Sequence, residues 1–144
     1  MSTSRTADLT TAPGETSGTD TREPRPMRER LLTFSLADEL THLRDEPQWQ
    51  EGERNSRTLA KHVDLRVVLT TLRAGAGIEE RDGDGRVTLQ VLEGEAELAV
   101  EDGVVTLGTG RLATLDSGAP WRLTATSEAA ILLTLAWPEE KAFV

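Results

Sequence analysis

The chain contains no cysteine, no tyrosine and only two histidines. Without thiols there are no disulfides, no zinc–thiolate sites and no thiol catalysis, which fits a reducing compartment. Without tyrosine, one common acid–base group is gone. Aromatic residues make up 3% (two Phe, three Trp), so packing must rest on Leu, Val and Ala. No apolar run approaches the roughly 20 residues that a membrane-spanning helix needs. The N-terminal stretch MSTSRTADLTTAPGETSGTD has no apolar signal core. These absences point to a soluble, cytoplasmic protein.

What is present is ordinary in amount and uneven in placement. The length, 144 residues, suits a single domain able to bury a real core. The net charge is −9. Residues 1–32 hold five Arg against five acids, so residues 33–144 carry the whole excess. An acidic domain is repelled by phosphate, and there is no basic stripe. Neither nucleic acid nor an anionic membrane is an expected partner.

Residues 1–32 are expected to form a disordered tail, since Thr, Ser, Gly and Pro predominate and large apolar groups are few. Its arginines and hydroxyls suggest a transit peptide, but its five acids argue against one. Residues 33–60 are expected to be a helical arm. Ser35 can cap a short helix, with Asp38 in the place of the capping-box acid. Leu36, Leu40 and Leu43 then share one face, and Pro47 ends the helix. Trp49 is expected to anchor the arm to the domain.

From Arg57 the signal turns to β-structure, with the domain itself placed at 61–140. Residues 64–73 (DLRVVLTTLR) are β-branched and alternating. Val87, Leu89 and Val91 share one face of a strand at 86–93. Ala96, Leu98 and Val100 share one face of the next, and Asp102-Gly103 marks a hairpin. Further strands fall at 104–107, 111–115, 121–126 and 129–137. Short strands at intervals of about ten residues, with glycine turns between, predict an all-β antiparallel barrel or jelly roll.

Four glycines give this pattern a frame. Gly75 and Gly94 bracket GAGIEERDGDGRVTLQVLEG, and Gly110 and Gly118 fall within GRLATLDSGAPW. At this spacing, and with the wording VLEGEAEL around Gly94, the stretch 64–137 resembles a small single-domain bacterial-type cupin. The family's first motif runs glycine, five residues, His-x-His, three or four residues, Glu, six residues, glycine. Its second runs glycine, five residues, Pro-x-Gly, two residues, His, three residues, Asn. The resemblance implies a cupin β-barrel, commonly dimeric, holding a divalent metal on three histidines and a glutamate.

The residues at the ligand positions do not support the metal. They are Arg81, Gly83, Val87 and Trp121, while Asp116 stands at the proline and Ala125 at the asparagine. A protonated guanidinium has no lone pair to give, glycine has no side chain, valine is a hydrocarbon and the indole nitrogen only donates. His42 and His62 have no metal-ligand spacing to a second histidine. Glu79 and Glu80 flank Arg81 and are read as a solvated loop cluster. Asp82-Gly83-Asp84-Gly85 resembles a calcium loop faintly, but Arg86 falls where an oxygen ligand is wanted, so it is read as a turn. No metal and no cofactor are expected.

Alternation places Arg81, Val87, Leu89, Trp121 and Leu123 toward the barrel interior. Either Trp121 fills the space of a lost metal, or Trp121 and Arg81 hold a small apolar or carboxylate ligand. The expected function is a non-catalytic module, binding a small molecule or serving a regulatory or structural role, and pairing as a homodimer. A metal-independent enzyme (isomerase- or lyase-like) using Glu79 or Glu80 is the alternative, and a metalloenzyme with unorthodox ligands a lesser one. No catalytic residue is assigned.

Overall fold

The computed structural model describes residues 31–80 and 85–137. The chain divides after His42, so residues 31–42 and the body from Leu43 onward are separate units. Helix α1 (Leu36–Asp45) opens as expected, with the Asp38 N–H donating to Ser35 Oγ at 3.2 Å. Leu40 and Leu43 are buried, and Leu36 is half-buried. α1 ends just before Pro47, as expected, and Pro47 then opens a second short turn, α2 (Pro47–Gln50). Proline fits there because a first-turn N–H has no helical acceptor anyway.

Among the described residues nine strands follow: β1 (Arg54–Lys61), β2 (Leu65–Leu72), β3 (Gly77–Glu80), β4 (Arg86–Glu93), β5 (Glu95–Val100), β6 (Gly103–Gly108), β7 (Leu112–Leu115), β8 (Trp121–Ala125) and β9 (Ala129–Ala136). They form two sheets, ordered β1-β2-β9-β4-β7 and β3-β8-β5-β6. Every pairing is antiparallel. The architecture is the expected antiparallel barrel of jelly-roll type. Seven of the strands lie where alternation put them.

Two strands depart from the expectation. β1 begins at Arg54, inside the stretch expected to be an arm, and pairs with β2. β3 contains Glu79 and Glu80, so these acids are not in a loop. Their correct setting is a ladder with β8, where successive side chains face opposite sides. Residues 1–30 and 81–84, which include Arg81, Gly83 and most of the turn expected at 82–85, lie outside the described residues.

Alternation decides the core. On β9, Ala129, Ile131, Leu133 and Leu135 face inward. They meet Leu72 of β2, Val87, Leu89 and Val91 of β4, and Trp121, Leu123 and Ala125 of β8. Leu89, Val91, Leu123 and Ile131 are fully buried. Closely packed side chains fill this space as in any protein interior.

The four frame glycines all have positive φ: 92° at Gly75, 86° at Gly94, 89° at Gly110 and 83° at Gly118. Gly94 is required twice over. Its φ is disfavoured for other residues, and an added Cβ would collide with the Glu128 carbonyl oxygen. This glycine lets the β4–β5 connection pass tightly beneath the start of β9.

Between α2 and the first sheet, Trp49 is buried with the Arg73 guanidinium 4.0 Å from its ring centroid. Arg73 also donates to the Trp49 carbonyl at 2.9 Å. Buried Asn55 donates to the Leu43 carbonyl at 2.9 Å and to Glu46 Oε1 at 2.8 Å, joining β1 to the helical turns. Trp49 is thus the anchor that the sequence suggests. No helix among the described residues is long and apolar enough to cross a membrane.

Candidate functional site

A cavity of about 70 Å³ lies where β3, β4 and β8 meet the segment after β9. Its wall includes Glu80, Val87, Asp116, Trp121, Leu135 and Trp137. Drug-sized ligand sites run to roughly 300–1,000 Å³. This space admits a small head group or a few waters, with the rest of any larger ligand outside the mouth.

Each wall residue is positioned by a ladder. Glu80 is opposite Trp121 in the β3–β8 pair. Val87 is opposite Leu135 of β9 on one side and Leu115 of β7 on the other. Trp137 continues the inward parity of β9 and is held by its N–H donating to the Asp64 carbonyl at 3.0 Å. Asp116 lies in the β7–β8 loop.

Among the site residues suggested by the sequence, Val87 and Trp121 line the cavity. Leu89 and Leu123 are fully buried in the core cluster and are not among the residues of this cavity wall. Arg81 is outside the described residues. Glu80, Asp116, Leu135 and Trp137 complete the wall beyond those candidates. Trp137 was legible by parity with Ile131, Leu133 and Leu135. Asp116 was marked by standing at the motif's proline.

The polar groups of the wall differ in how well they are satisfied. Asp116 accepts from Arg86 at 2.9 Å in a highly exposed pair, which contributes little. Glu80 is half-buried and has no ion pair or side-chain hydrogen bond among the described residues. Trp121 is 6% exposed, and its buried Nε1 has no acceptor among them. An unmet buried donor costs about 1–3 kcal/mol. Arg66 stands 5.6 Å from the Trp137 ring centroid, covering that indole from β2.

The metal implied by the motif spacing does not fit the two described ligand positions. Val87 and Trp121 face the interior as the motif requires, but neither has a lone pair for a cation. His42 and His62 are both exposed, the first on α1 and the second just after β1. Among the described residues, no three His, Asp or Glu side chains gather where a metal could be held. Glu79 and Glu80 are neighbours on β3, so their side chains leave opposite faces of the strand. Glu79 faces outward and accepts from Arg122 Nε at 3.1 Å.

No family model matches this chain, and no curated protein matches it. Solved structures do. A conserved protein of unknown function from Streptococcus pyogenes is 26% identical, with a TM-score of 0.58 over 62% of this chain and 78% of that one. A cupin-2 domain containing protein from Shewanella frigidimarina is 18% identical, with a TM-score of 0.57 over 72% of this chain and 93% of that one. A salicylate 1,2-dioxygenase from Pseudaminobacter salicylatoxidans is 22% identical, with a TM-score of 0.54 over 63% of this chain and 28% of that one. An enzyme and a protein of unknown function thus share this architecture, so the architecture names no reaction. This chain therefore has the fold of these cupin structures.

Proposed function

We propose that this cupin is a non-catalytic module that binds a small molecule at the mouth of its barrel. One observation carries the reading: Val87 and Trp121, at the motif's glutamate and histidine positions, are buried in the core cluster. Hydrocarbon and indole take the space that ligands would otherwise use. The residual cavity beside Trp121 supplies a site for a head group. The filled interior behind it supports packing by Leu89 and Leu123 rather than a deep active site.

Elemental analysis of the purified full chain tests the metal-free part. Substoichiometric iron, manganese, nickel and zinc are expected, and one tightly held ion per chain would overturn it. The proposal includes pairing as a homodimer, for which the edge strands β1, β3, β6 and β7 are available. Light scattering at the monomer mass would contradict that pairing.

A further inference from the structure

Arg81, the carboxylate grip suggested by the sequence, lies outside the described residues, and the described part of the cavity wall is acidic. Its described residues include two carboxylates, Glu80 and Asp116, and no cationic side chain. Asp116 is already met by Arg86. Glu80 is not met among the described residues, although it is half-buried and flanked by apolar groups. A carboxylate moved out of water is stabilised by a positive partner. Two indoles, Trp121 and Trp137, share the same wall, and indole faces attract cations more strongly than other aromatic rings do. The Trp121 N–H is buried and lacks an acceptor.

We infer that the cavity takes the head group of a small organic ammonium compound that also carries an oxygen acceptor. The inference rests on the binding role proposed above. Glu80 supplies the counter-charge, the indoles supply the apolar and cation-attracting wall, and the Trp121 N–H donates to the ligand oxygen. The volume of about 70 Å³ limits the buried part to a head group. A free carboxylate would instead meet Glu80, which has no cationic partner among the described residues, at close quarters.

The test is calorimetric and thermal-shift titration of the full chain with choline, tetramethylammonium and propionate. Choline should bind saturably and raise Tm by roughly 5 °C at ten times its Kd. Propionate should give no shift. Glu80→Gln should raise the choline Kd about tenfold. Trp121→Phe, which keeps a ring and removes the N–H, should weaken choline more than tetramethylammonium. Variant folding is checked by circular dichroism, and the wild-type titration stands whether or not the variants fold. Absence of saturable choline binding overturns the inference, as does a choline Kd unchanged in folded Glu80→Gln. Saturable propionate binding with no choline binding would overturn the ammonium class and leave the binding role intact. One tightly held metal per chain would sink the metal-free role itself.

Discussion

Glu80 stands directly opposite Trp121 in the β3–β8 ladder, while its neighbour Glu79 stands opposite Arg122. One step along the strand separates two environments. Glu79 is bound to a guanidinium on the outer surface, and Glu80 borders the cavity with an indole across from it. The alternation of a β-strand therefore splits a pair of acids that looks like one cluster in the sequence. Only Glu80 is part of the cavity wall.

Trp121→Ala should destabilise the protein by about 3–5 kcal/mol, since it removes a buried aromatic from the core cluster and enlarges the cavity beside it. Urea unfolding measures this directly. A loss below about 1 kcal/mol would show that the indole is not part of the packed interior.

Gly94→Ala and Gly75→Ala separate conformational strain from collision. Both positions have positive φ, but only at Gly94 does an added Cβ strike backbone. Gly75→Ala should cost about 1–2 kcal/mol from backbone conformation alone. Gly94→Ala should cost clearly more, and its thermal unfolding should fall below that of the other variant. Equal losses would mean that the close approach at Glu128 is relieved without strain.

Asn55→Ala tests the junction of β1 with the helical turns. The substitution removes two donated hydrogen bonds and leaves the Leu43 carbonyl without this donor. A loss of about 1–3 kcal/mol is expected. Hydrogen exchange should speed up at β1 amides before those of β9, because β1 is an edge strand and β9 lies between β2 and β4.

Much of this was legible because interior strands carry a strong signal. The alternation Val87-Leu89-Val91 places one face of β4 inward, and the structure buries all three. The glycine frame was legible because positive φ leaves few alternatives to glycine. The start of β1 and all of β3 were not legible as strands for the opposite reason. RNS at the start of β1 and GIEE carry too few apolar residues to show an alternation, while the signal from Arg57 onward was read as β. The pocket wall was legible only in part. Trp121 and Val87 came from motif positions, but Asp116 reaches the wall from a loop, and strand periodicity assigns no direction to a loop side chain.

Position 87, a ligand position by motif spacing, is a core position in this chain. Val87→Glu tests it most directly, by urea unfolding with and without saturating manganese. The substitution places a carboxylate among apolar side chains, so a loss of at least about 3 kcal/mol is expected near neutral pH, unrelieved by the metal. The buried carboxyl favours its neutral form, which raises its folded-state pKa. The deficit should therefore be smaller near about pH 4 and grow as pH rises. A variant as stable as the parent, or one that manganese restores, would contradict the claim and show a metal site that a single residue rebuilds.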